Sequence, residues 1–195
     1  MIALSRDYPC VFGAPVIAGV DPAIFSLRYF AKCMECGFCH DQCCSYGVDI
    51  DAANMERLRA LGPEFEAFVG IPQGRWFTGE AACDPEFPSG AYGRTAAPHG
   101  KCIFANRIGR GCRIHAFCLE QKLDYHLYKP MVSILFPVTF EHGVLVPSPE
   151  TLDGTLACHG DGPSLYNGVR DELAYYFGAA FVTELDRLGA AAKIP

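Results

Sequence analysis

The stretch CMECGFCHDQCC, residues 33–44, carries five thiols in twelve positions. A gap of two residues between cysteines lets a tight turn aim two sulfurs at one ion, with backbone N–H groups pointing at the sulfurs and favouring thiolate. Repeating the gap, as in Cys33-x2-Cys36-x2-Cys39, is how iron–sulfur proteins hold three corners of a cluster while a fourth thiolate arrives from elsewhere in the chain. Cys43 and Cys44 follow Cys39 after three intervening residues. A chain organised by such a segment is expected to wrap long irregular loops around a site.

The rest of the chain decides between metal, disulfide and redox readings. With 195 residues, half of them hydrophobic, it can bury a core without covalent staples, and a single domain over residues 1–195 is the expectation. No run of roughly eighteen apolar residues occurs, and the first residues, MIALSRDYPCVFGAPVIAG, lack the basic start and continuous apolar stretch of a secretory signal. A cytoplasmic chain without a membrane span is expected, and in that compartment thiols stay reduced. The eleven cysteines are also odd in number, which further disfavours a disulfide framework. A dithiol redox centre at Cys33/Cys36 or Cys36/Cys39 lacks the strand-to-helix context such centres use. The formal charge of −6 argues against nucleic acid, whose phosphates are bound by clustered Lys and Arg. No Ser-His-Asp arrangement or phosphate-cradling glycine loop is legible, and the glycines of GRGC fall in a hairpin turn.

Periodicity places the elements. Residues 21–32 read as a short helix with Asp21 as cap and Pro22 at its first position. Asp51 opens a helix through Met55, Leu58 and Leu61, and a second follows the Gly62-Pro63 break through Phe65, Phe68 and Val69. Residues 71–100 read as loop with a strand near 92–95. Apolar runs at 102–105 and from Cys112 flank NRIGRG and predict a hairpin that brings Cys102 and Cys112 together, then a helix to about Gln121. The β-branched stretch MVSILFPVTFEHGVLVP predicts two strands, with Pro137 at an edge or bulge. Residues 165–188 form one long helix or two meeting at Gly178. The fold class is α+β, a small antiparallel sheet with flanking helices, its core spanning about residues 33–178.

The second half supplies further ligand candidates in Cys102, Cys112, His115, Cys118 and the pair Cys158-His159. Cys10 and Cys83 read as small buried apolar residues, and His115 as a hydrogen-bonded or surface histidine. Lys101, Arg107, Arg110 and Arg113 would stabilise a centre of net charge near −2, or would equally form a solvated hairpin tip.

These residues resemble the cysteine-cluster proteins of the YkgJ type, described as zinc- or iron-chelating domains. The resemblance runs over about residues 33–178. It is carried by CMECGFC with the later CC and GVDI, by GKCIFANRIGRGCRIHAF, by LYKPMVSILFPV and by CHGDGPSLYNGVRDELAYYFG. In two places the chain departs from the family pattern. His40 follows Cys39 where the family continues directly with cysteine, and Ser133 stands nearest to an expected thiol after the Lys129-Pro130 pair. Cys118, six residues after Cys112, is the candidate to replace that thiol.

The expected function is metal binding through Cys33, Cys36, Cys39, Cys43, Cys44, Cys102, Cys112 and Cys118. Zinc and a [4Fe–4S] cluster both remain open. Gly37 and Phe38 between the thiols favour the backbone wrap and apolar shell of a cluster. The alternative is a cluster- or thiol-dependent enzyme that modifies a protein or peptide, with His40, His99, His115 and His159 available for acid–base work. No residue is assigned a catalytic role, and neither a membrane nor nucleic acid is an expected partner.

Overall fold

The computed structural model describes residues 1–31, 35 and 37–192. In chain order the elements are β1 (Ile2–Pro9), β2 (Val16–Val20), α1 (Ala23–Ser26), β3 (Arg28–Tyr29), β4 (Asp49–Asp51), α2 (Ala52–Ala60), α3 (Gly62–Val69), β5 (Phe77–Cys83) and β6 (Ala91–Thr95). There follow α4 (Arg113–Glu120), α5 (Met131–Leu135), β7 (Val138–Glu141), β8 (Val144–Pro147), α6 (Pro149–Leu152), β9 (His159–Ser164), α7 (Leu165–Phe177) and α8 (Ala179–Ala191). The fold is α+β. It divides into two compact units, Met1–Ala31 with Leu135–Pro195, and Lys32–Ile134.

The unit Lys32–Ile134 contains the antiparallel sheet β4-β6-β5. Asp51 ends β4 and caps α2, one carboxylate oxygen accepting from the Ala53 N–H at 2.8 Å. Its other oxygen accepts from the N–H and hydroxyl of Ser89, so this buried carboxylate is fully partnered. The Gly62-Pro63 break starts α3, as its spacing predicts, and Phe65 and Val69 turn inward. Phe65 meets Trp76, Phe104 and Phe117 at ring centroid distances of 5.2, 6.1 and 4.9 Å. The indole N–H of Trp76, itself fully buried, donates to the Ile71 carbonyl. Ile50, Leu58 and Ile114 complete this core.

The unit Met1–Ala31 with Leu135–Pro195 holds a four-stranded sheet in the order β1-β2-β8-β7 and the pair β3-β9. The larger sheet is mixed, because β2 and β8 run parallel. Among the described residues, sheet structure is thus spread over three small sheets. α7 starts at Ser164, whose hydroxyl accepts from the Asn167 N–H, and ends at Gly178 with φ +84°, a backbone state glycine adopts without penalty. The apolar stripe read from the sequence is therefore two helices. Buried Glu184 on α8 accepts from the hydroxyls of Ser5 and Tyr8 and from the Ser5 N–H. Asp186 accepts from Tyr166 and Arg170.

Other elements differ from expectation. The helix expected over 21–32 stops at Ser26 because Arg28 and Tyr29 pair with β9. Residues 131–135 are helical, although Val132 and Ile134 favour strand, and Pro137 sits just ahead of β7. β5 and the N-terminal hairpin β1–β2 lie where no strand was expected. No helix among the described residues is long and apolar enough to cross a membrane.

Phe65→Ala is expected to cost about 3–5 kcal/mol in urea unfolding, as for buried aromatic truncations generally. The hydroxyls on Glu184, and Arg170 followed by Tyr166 beside Asp186, hold both carboxyls below the usual carboxylate range. A carboxylate depressed in the folded state stabilises above its unfolded value near about 4 and loses that contribution as pH falls through the folded value. Thermal melts should therefore decline below about pH 4, and Glu184→Gln should flatten that decline.

Candidate functional site

Residues 37–48 include no buried side chain, so this loop is held by polar contacts. Two 3-10-type hydrogen bonds, Gln42 N–H to the Cys39 carbonyl and Cys44 N–H to the Asp41 carbonyl, close a turn over Gln42–Cys44. Just beyond it, Gly47 has φ +71° and lies so close to Thr95 that a Cβ there would collide with the Thr95 carbonyl. The Thr95 N–H donates to the Val48 carbonyl and the Val48 N–H to the Thr95 hydroxyl, while Arg94 donates to the Tyr46 carbonyl and pairs with Asp49. These contacts fasten the end of the loop to β6.

The hairpin read around NRIGRG is present. Ala105 and Cys112 form a bridge, Asn106 N–H donates to the Gly111 carbonyl, and Arg113 N–H donates to the Phe104 carbonyl at 2.7 Å. Loop and hairpin meet where the Cys102 N–H donates to the Cys44 carbonyl at 2.6 Å.

Cys43, Cys44, Cys102 and Cys112 share one electrostatic neighbourhood. The Cys44 thiol donates to Cys43 and pulls it down to about 7, with Lys129 assisting against burial and the Asp41 charge. Cys44 is pushed up by that same bond, by burial and by negative charge on Cys43, Cys102 and Cys112. Burial raises Cys102, opposed by hydrogen bonds to its sulfur from the Thr95 hydroxyl and from the N–H groups of Phe104 and Ala105. Two of those donors are backbone N–H groups, which favour the thiolate form.

Cys39 accepts from Arg110 Nη2 at 2.8 Å, and Arg110 Nε lies 3.1 Å from Asp41 Oδ1. Lys101 Nζ reaches Asp41 Oδ2 at 3.8 Å. Arg113 turns inward to the Val69 carbonyl, and Arg107 is exposed. Three of the four cations read as a basic run therefore have specific partners.

The remaining candidates separate by burial. Cys118 on α4 is fully buried in the aromatic core, where burial, then Cys112 and Asp124, push it up to about 11. Cys10 is buried as expected and likewise raised to about 11 by burial. Cys83, expected to be buried, is exposed at the end of β5, a strand whose side chains are nearly all outside the core. Cys158 and His159 belong to the unit Met1–Ala31 with Leu135–Pro195. Cys33 and Cys36 lie outside the described residues. The His115 ring packs 4.5 Å from that of Tyr125, and His40 and His99 are exposed with left-handed backbones. Among the described residues, no three His, Cys, Asp or Glu side chains stand close enough together to hold a metal ion. The grouped side chains are soft thiols, and backbone N–H groups point at the Cys102 sulfur.

Sequence reasoning missed Thr95, Lys129 and the Asp41–Arg110 pair. Asp41 lies inside the quoted stretch, yet nothing in its spacing distinguishes it from a solvated turn residue. No family model, curated protein or solved structure matches the chain.

In metal-free protein at neutral pH, Cys43 is expected to be alkylated by iodoacetamide well before Cys10 and Cys118, because it is exposed and holds more thiolate. Peptide mapping by mass spectrometry checks this. Equal rates at the three thiols would contradict the described burial and charge.

Proposed function

We propose that this chain is a metal-binding protein of the cysteine-cluster type, acting in a reducing compartment such as the cytoplasm. Its centre is formed by the 33–44 loop and the 102–112 hairpin. One observation carries the reading: the backbone bond between Cys102 and Cys44 joins two thiol-bearing segments, and the Cys44 thiol feels charge from Cys43, Cys102 and Cys112. Four thiols from two separate segments in one neighbourhood serve no packing purpose that apolar residues would not serve better.

Cys44, Cys102 and Cys112, with Cys43 or Cys39, supply the described thiolates, and Cys33 and Cys36 the remaining positions. A zinc ion held by four thiolates acts as a structural crosslink, whereas a [4Fe–4S] cluster stores an electron. The repeated two-residue gaps of Cys33, Cys36 and Cys39 support the cluster over zinc. The Phe104 and Ala105 N–H groups orient the Cys102 sulfur, and Lys129, Lys101 and Arg110 offset negative charge at the loop. The resemblance to YkgJ-type proteins agrees with this reading, and the acidic net charge supports no role for nucleic acid.

Protein purified without oxygen is expected to carry stoichiometric iron with sulfide and a brown colour, or stoichiometric zinc without colour. Cys102→Ser should lose most of it. Chelation should lower the melting temperature, since binding energy in a loop-held site adds to folding stability. Neither metal in stoichiometric amount, with the melting curve unmoved by chelator, would sink the reading.

A further inference from the structure

We propose that Arg110 and Asp41 form a clamp, independent of any metal, that positions Cys39 and the Gln42–Cys44 turn against the hairpin bearing Cys102 and Cys112. Its effect on metal affinity rests on the metal-binding reading, but the clamp itself belongs to the metal-free chain.

The residues that grip Asp41 flank the two hairpin thiols. Lys101 directly precedes Cys102, and Arg110 stands two residues before Cys112. One planar guanidinium reaches both groups: Arg110 Nη2 donates to the Cys39 sulfur, and Nε forms an ion pair, not a hydrogen bond, with the Asp41 carboxylate at 3.1 Å. The Asp41 side chain is only 13% exposed and that of Arg110 19%, which shields their pair from solvent screening. Lys101, at 45% exposed and 3.8 Å away, is the weaker arm.

The backbone shows why the loop needs such a clamp. His40 and Asp41 are consecutive non-glycine residues with φ of +49° and +57°, a left-handed conformation that is uncommon outside glycine and that Asp and His tolerate better than most. The Asp41 carbonyl then accepts the Cys44 N–H, so the turn that places Cys43 and Cys44 starts from a left-handed residue. With no buried side chain in residues 37–48, the Asp41 ion pairs hold that conformation in place of apolar packing.

The test compares hydrogen exchange in metal-free wild type, Arg110→Gln, Asp41→Asn and Arg110→Lys. Asparagine tolerates the left-handed conformation, so Asp41→Asn removes charge without adding strain. Arg110→Gln and Asp41→Asn should each speed exchange at Gln42, Cys44 and Ser45 by roughly tenfold or more, leaving Trp76 and Ile103 unchanged. Arg110→Lys keeps the charge but not the fork and should restore protection only in part. Unchanged loop exchange in both variants overturns the clamp, as does equal acceleration in the core, which would mark a general loss of stability. Full protection in Arg110→Lys overturns the role of the fork. In metal titrations both charge-removing variants should bind about ten- to a hundredfold more weakly at unchanged stoichiometry, the usual cost of losing a group that orients a ligand. Equal affinities would overturn the role at the site. Failure of the wild type to take up metal would count against the metal-binding reading, while the exchange rates of the metal-free variants would still decide for or against the clamp.

Discussion

Burial of the Phe104 ring is the constraint on which the thiol neighbourhood depends. The ring is 1% exposed and lies 5.7 Å from Trp76 and 6.0 Å from Phe77 by centroid, in the aromatic core that also contains Phe65. Withdrawing a phenylalanine from such a site exposes on the order of 150–250 Å² of apolar surface. Phe104 therefore anchors the hairpin. Its neighbours Ile103 and Cys102 bond to the Ala96 and Cys44 carbonyls, and its own carbonyl receives the N–H of Arg113. Cys102 and Cys112 owe their positions to the apolar burial of a residue that lies between them in the chain.

The loop that faces the hairpin obeys a different physics. Nothing between residues 37 and 48 is buried, and Phe38 and Tyr46 are exposed. Order there comes from the Cys39 and Asp41 carbonyls, the Asp41 ion pairs and the fastening of Tyr46–Asp49 to β6. Segments held by few apolar contacts open at lower free energy than the core they dock on. One of the two thiol-bearing segments is thus anchored by apolar burial and the other by polar contacts alone.

The legible parts of this fold are those whose signals are local. The α2 and α3 helices follow from Asp51, the Gly62-Pro63 break and apolar spacing, and the 102–112 hairpin from two apolar runs about a glycine turn. The strand β2 is not legible because part of its pairing is remote: Gly19 and Val20 pair with Val144 and Leu145. Pairing across such a separation leaves little local trace. β5 is hidden for another reason, since its residues Thr78–Cys83 are exposed and lack the alternation that a half-buried strand displays. At the site, cysteine spacing points to the two segments that the fold brings together, but Asp41 and Arg110 are distinguished only by the partners that folding gives them.

Proximity also separates the loop and hairpin thiols from those in the cores. Cys10 and Cys118 sit in apolar surroundings that keep them protonated, so they behave as small core residues. Cys44 differs, because part of what holds its proton is negative charge on Cys43, Cys102 and Cys112. That repulsion is a cost only while the space between the sulfurs lacks positive charge. Lys129 favours the charged form of Cys43 alone, against burial and the Asp41 charge. On the metal-binding reading proposed above, a thiophilic cation among the sulfurs would act at bond length, offsetting both the repulsion and the cost of removing the thiol protons.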